Sequence, residues 1–221
     1  MAKPKPMAVY LEITRKRTFA GAIEWPGWCR SGKTPEEALE ALFAYRDRYA
    51  RAVAHTRLGF AAPASLDQFE VVERLKGNAT TEFGAPGVPP AADERPLPAT
   101  ALKRQTSILE VSWRTFDRMA AAHAGEELAK GPRGGGRSVA KMVEHVAGAE
   151  EGYLSRLGSR APAEPDALRP TILAALAARA GKKPVAEPNK VEKLWAPRFY
   201  VRRAAWHALD HAWEIEDRCI A

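Results

Sequence analysis

Cysteine is scarce in this chain: Cys29 and Cys219 are the only two among 221 residues. That excludes a disulfide framework and a Cys-x-x-Cys metal site, and leaves two free thiols. Long apolar runs are missing as well. No stretch approaches the roughly 18 apolar residues a membrane-spanning helix needs. The opening Met1-Ala2-Lys3-Pro4-Lys5-Pro6 leads into a strand-like segment without the apolar core of a secretion signal. The expectation is a soluble, cytoplasmic protein with no membrane contact. No internal repeat is visible. Also absent is a basic stripe with interleaved aromatic residues, although the net charge is +7. The charge is +5 over residues 1–58, −3 over 59–100, +2 over 101–158 and +3 over 159–221, too diffuse for a phosphate-binding face. The densest run, Arg15-Lys16-Arg17, falls where a hairpin should turn, so nucleic acid is not an expected partner.

What is present divides into two regimes. In the first, Ala8-Val9-Tyr10-Leu11-Glu12-Ile13 and Thr18 to Trp25 read as the two strands of a hairpin, with Glu12 and Glu24 on its solvated face. Thr34-Pro35-Glu36-Glu37 supplies an N-cap, a proline at the first helical position and a capping-box glutamate, predicting a helix to about His55. Phe69 to Leu75 reads as a closing strand, giving β-β-α-β. Residues 77–98, rich in proline and glycine, read as a linker of extended, semi-rigid character. From Ala99 the apolar period changes from two to about 3.6. Helices are predicted over 101–123, 138–157, 166–179 and 197–219, with a surface connection over 180–195 rich in lysine and proline, as in a four-helix bundle.

The chemistry-bearing residues lie in this second regime. His207 and His211 stand four apart in the last helix, so their side chains share one face and both can reach one ion. Projection at about 100° per residue places Tyr200, Arg203, His207, His211, Glu214 and Arg218 within about 40° of one direction. Such a row is either a solvated face or an inward-facing site. His145, in the second helix of this half, favours the site: Gly148, Ala149 and Gly152 on its own face leave room beside it. Three neutral imidazoles with an open fourth position form a catalytic type of metal site. Arg203, one turn before His207, could hold a substrate carboxylate or phosphate, and Glu214, one turn after His211, could orient a ligand or act as a base. Each could equally pair with other side chains.

Other candidates carry less. Gly134-Gly135-Gly136-Arg137-Ser138 has no preceding strand and reads as a flexible loop, with Ser138 as N-cap of the following helix. His55 and His123 fall near helix ends, where histidine is a common capping neighbour. Cys219 has no histidine base within local reach, which argues against a cysteine nucleophile.

Two resemblances follow from these motifs. Pro26-Gly27 and Gly32-Lys33-Thr34-Pro35-Glu36-Glu37-Ala38-Leu39 resemble the HicB-like domain over residues 1–76. That resemblance implies a partial RNase H-like unit without catalytic carboxylates, serving to bind a protein partner or to oligomerise. Glu144-His145-Val146-x-x-Ala149-Glu150-x-x-Tyr153-Leu154, with Arg203-Ala204-Ala205-Trp206-His207-x-x-x-His211, resembles the DinB-like four-helix bundle superfamily over residues 99–221. The order of the three histidines matches, so His145, His207 and His211 would be the metal ligands. The chain departs from many relatives in carrying Arg137-Ser138 where they place Trp-Ser. The implied protein is α+β, with a divalent ion (zinc, nickel, manganese or iron) and transferase or isomerase activity dependent on a low-molecular-weight thiol acting on a small-molecule substrate. A homodimer fits both halves. The alternative is a non-enzymatic partner-binding or regulatory protein whose metal is structural.

Overall fold

A computed structural model describes residues 6–129, 138–191 and 193–219 of the chain. It is a mixed α+β protein in two compact units, 1–95 and 96–221. The glycine-rich 134–137 segment lies outside the described residues.

The first unit holds a four-stranded sheet in the order β3-β2-β1-β4, built from β1 (Met7–Ile13), β2 (Thr18–Ala22), β3 (Cys29–Gly32) and β4 (Phe69–Lys76). The expected hairpin forms, with Leu11 opposite Ala20, and its turn is closed by Thr14, whose hydroxyl accepts from the amides of Lys16 and Arg17. β3 is an addition to the expected pattern: Cys-Arg-Ser-Gly has no apolar alternation to announce it. β4 runs parallel to β1, as a strand returning after a helical crossover can. The crossover starts as its capping residues dictate. Thr34 accepts from the Glu37 amide, Pro35 occupies the first turn, and the Glu37 carboxylate accepts from the Lys33 amide at 2.7 Å. A Cβ at Gly32 would lie 2.6 Å from the Ala38 nitrogen, so the approach of β3 to this helix requires glycine. The expected single helix is two, α1 (Pro35–Ala44) and α2 (Arg46–Val53). The break at Tyr45 has no proline or glycine; the Tyr45 ring there receives the guanidinium groups of Arg30 and Arg48, at 3.9 and 4.7 Å from its centroid. Trp28 and Tyr49 stack at 5.7 Å within the core, each with its polar atom satisfied: the indole donates to the Leu42 carbonyl and the phenol to that of Pro26.

Glu12 overturns an expectation. It is fully buried rather than solvated, while Glu24 is exposed and pairs with Arg95. Burial runs unbroken from Val9 to Glu12, so both faces of this central strand are covered and alternation could not place the carboxylate outside. Its oxygens accept from the amides of Gly87 and Val88 and from the Thr81 hydroxyl. The stretch expected as a linker therefore begins as ordered chain within the first unit. It carries α3 (Ala79–Phe83), capped by Asn78, and a 3-10 turn at Ala91–Glu94, where Glu73 of β4 accepts from the Ala91 amide.

The second unit is helical: α4 (Ala99–Ala122), α5 (Val139–Arg156), α6 (Leu168–Ala180) and α7 (Pro197–Arg218). Ser138 caps α5 by accepting from the Lys141 amide. α7 is the central element, buried at nearly every position from Phe199 to Ile215. α6 is tied in by Arg169, which donates to Asp117 of α4 and to the buried Glu150 of α5. Burial raises the Glu150 pKa even though Arg169 acts in the opposite direction. The connection after α6 is largely exposed, yet it is fixed to the end of α5: Arg160 donates to Glu187, Asn189 to Gly158 and Trp195 to Arg156 through backbone bonds. Among the described residues no helix is long and apolar enough to cross a membrane.

Candidate metal centre

The three predicted histidines converge. α7 presents His207 and His211 one turn apart, and α5 brings His145 against them. The Nε2 atoms of His145 and His207 lie 3.3 Å apart, and those of His207 and His211 lie 3.2 Å apart. Three nitrogens each about 2.0–2.1 Å from a tetrahedral ion would stand about 3.3–3.4 Å from one another. The spacing therefore fits one shared cation.

The protonation pattern is compatible with such a cation. Glu214 Oε2 lies 2.9 Å from His211 Nδ1, so that nitrogen donates to the carboxylate and His211 turns an Nε2 lone pair inward. With all three rings neutral, a single proton on His207 Nε2 can serve only one of its two neighbours, and a proton on His145 Nε2 leaves the His207–His211 contact without one. A cation between the three rings would accept a lone pair from each Nε2. Charge on the His207 ring is disfavoured: burial, reinforced by His211, Arg203 and His145, lowers its pKa from 6.5 to about 2. The neutral imidazole that a metal requires is the form the fold holds.

The polar row on α7 is the inward-facing alternative of the two that its sequence allowed. Tyr200, Arg203 and His207 are buried, and Glu214 is partly so. Glu214 is positioned behind His211 rather than in the open space: one oxygen meets His211 and the other meets Arg218. These two partners hold its pKa below the usual carboxylate range, the His211 hydrogen bond contributing most. This geometry makes it an orienting group and argues against a base. Arg203 lies over the rings of Trp206 and Tyr153, at 4.7 and 5.4 Å from their centroids, and its Nη1 is buried with no hydrogen-bond partner among the described residues. The Tyr200 hydroxyl is orphaned in the same way.

His145 is exposed whereas His207 is 7% exposed, so the site opens on the α5 side. Gly148 and Gly152 follow His145 by one and two turns, and a Cβ added at either would meet nothing within 4 Å among the described residues. The room expected beside His145 is there. Two neighbours went unrecognised in the sequence. Tyr153 packs edge-on to the His207 ring at 5.6 Å, and Trp195 packs on Tyr153 at 5.3 Å. Tyr153 stood in the motif around His145 without a role assigned to it, and Trp195 sits in a connection whose composition suggested only surface loop.

Histidines from two helices, with a carboxylate behind one of them and a buried guanidinium one turn away, form a cluster in the helical unit that could hold a metal ion. No known protein family, curated protein or solved structure matches the chain.

Proposed function

We propose that the second unit is a metal-dependent enzyme of the DinB-like type, a transferase or isomerase that works with a low-molecular-weight thiol on a small-molecule substrate in the cytoplasm. The observation that carries this reading is the convergence of three Nε2 atoms at 3.2–3.3 Å with one side open. His145, His207 and His211 would hold a divalent ion as neutral ligands, and the ion would supply Lewis acidity to a water or thiol bound beside it. The chain's own residues do the rest. Glu214 fixes the His211 tautomer, Tyr153 and Trp195 wall one side with apolar surface, and Arg203 offers a buried, unmet donor for an anionic substrate group. The first unit is proposed as a partner-binding or dimerising module in the HicB-like manner, its buried Glu12 carboxylate being committed to the amides of Gly87 and Val88.

Elemental analysis of protein purified without chelator tests the site: His207→Ala and His211→Ala each remove one equivalent of divalent metal. A thermal-shift series with glutathione, mycothiol and bacillithiol tests the chemistry, since a thiol at about 100 times its Kd stabilises by about 2.7 kcal/mol. Metal content indifferent to all three histidines, or melting indifferent to every thiol in the presence of metal, refutes the respective half of the proposal.

A further inference from the structure

The far end of α7 brings together a second set of donor atoms. His123 follows the last residue of α4, Glu126 lies three residues on, and Cys219 follows the last residue of α7. A ring nitrogen of His123, a carboxylate oxygen of Glu126 and the Cys219 sulfur all lie within 4.8 Å of one another. The absence of a local histidine had counted against any chemistry at Cys219, but the fold supplies one from 96 positions away. None of the three residues takes part in the site at His145, His207 and His211.

The backbone on both sides of these donors is fixed. The Ala129 amide donates to the Arg218 carbonyl at 3.0 Å, and Arg218 Nε returns a bond to the Ala129 carbonyl at 2.8 Å. Glu126 donates to His123 and accepts from Val139 through the main chain, and the Cys219 amide donates to Ile215. Two segments distant in sequence are thus held in register where their donor side chains meet. His123 Nδ1 already lies 3.1 Å from Glu126 Oε2.

A nucleophilic cysteine is a poor account of this cluster, because the group beside the thiol is a carboxylate, which disfavours a thiolate. A cation reverses that relation. Sulfur, nitrogen and oxygen donors are the set that zinc accepts, and donors about 2.0–2.3 Å from a tetrahedral ion stand about 3.3–3.6 Å apart, within reach of small rotations of these partly exposed side chains. We infer that His123, Glu126 and Cys219 form a second divalent-metal site of the zinc class. On binding, the thiol proton leaves to solvent and bonds form from the ion to sulfur, imidazole nitrogen and carboxylate oxygen. Thiolate and carboxylate then balance the ion's two positive charges. The result is an electrically neutral staple joining the end of α4 to the end of α7, unlike the three-histidine site, whose ligands leave the charge unspent.

Cobalt(II) titration of the reduced full-length chain separates the two sites by their spectra. Two equivalents are expected, with a near-ultraviolet thiolate-to-cobalt charge-transfer band from the Cys219 site and only weak visible bands from the histidine site. Cys219→Ser should abolish the charge-transfer band and one equivalent while keeping the visible bands. H145A/H211A should do the reverse, and His123→Gln should weaken development of the charge-transfer band at least tenfold. Cys29 is buried at 2% exposure, so a thiolate band should not arise from it. Absence of the charge-transfer band, its survival in Cys219→Ser, or two retained equivalents in that variant overturns the inference. Loss of the visible bands alone would count against the histidine site and leave this one standing.

Discussion

Acid should destabilise the metal-free protein through one residue. His207 has a folded pKa of about 2 against 6.5 when free, because burial opposes its charged form. Above 6.5 neither folded nor unfolded chain protonates it, and stability is at its full value. As pH falls below 6.5 the unfolded chain takes up a proton that the folded chain refuses, so stability is lost progressively until the pH nears 2. Between pH 7 and pH 5 this amounts to about 2 kcal/mol, since each pH unit below the unfolded value contributes about 1.4 kcal/mol. In a helical unit of this size that corresponds to a fall of about 8 °C in melting temperature. The measurement is urea denaturation of chelator-treated protein at both pH values, for the wild type and for His207→Gln. The difference between the two proteins isolates this residue from other acid-sensitive groups. A wild type that loses no more stability than the variant refutes the reasoning, and with it the claim that the fold keeps this imidazole neutral for an ion.

Two further outcomes follow from neighbouring groups. Glu214→Gln removes the charged partner of His211 Nδ1 without removing a ligand, and should weaken metal binding about 10–100-fold in a competition titration. Glu12→Ala removes the acceptor for the Gly87 and Val88 amides, and should lower stability by about 2–3 kcal/mol, with limited proteolysis showing new cleavage between residues 77 and 95.

Much of the three-histidine cluster was legible in the sequence because its geometry is local. The spacing of His207 and His211 puts both on one face of any helix, and the small residues after His145 mark open space whatever lies opposite. Thr34-Pro35 and Ser138 specify helix starts through their own hydrogen bonds, so those starts hold to within a residue. The misreadings involve partners distant in the chain. Glu12 has the alternation of a solvated strand residue, and only the return of residues 81–88 over β1 turns it into a buried anchor. The proline and glycine content of that return segment, which suggested extended chain, says nothing of α3 and the 3-10 turn within it or of the carboxylates that hold it. β3 is a strand by virtue of its pairing with β2, since its composition is that of a turn. The meeting of Cys219 with His123 depends on where two helices end, which no local pattern encodes.

The two glycines beside His145 bear on how such a pocket can change. Glycine within a helix is about 1 kcal/mol less favourable than alanine, so positions 148 and 152 weaken α5 by about 2 kcal/mol together. Nothing stands where their side chains would go. The helix surface after His145 is therefore bare backbone at these two positions, and it can be rebuilt one side chain at a time with substitutions that strengthen the helix. New ligand preferences usually arise from mutations that erode a fold. At these two positions the pocket can be reshaped and the protein made more stable by the same change.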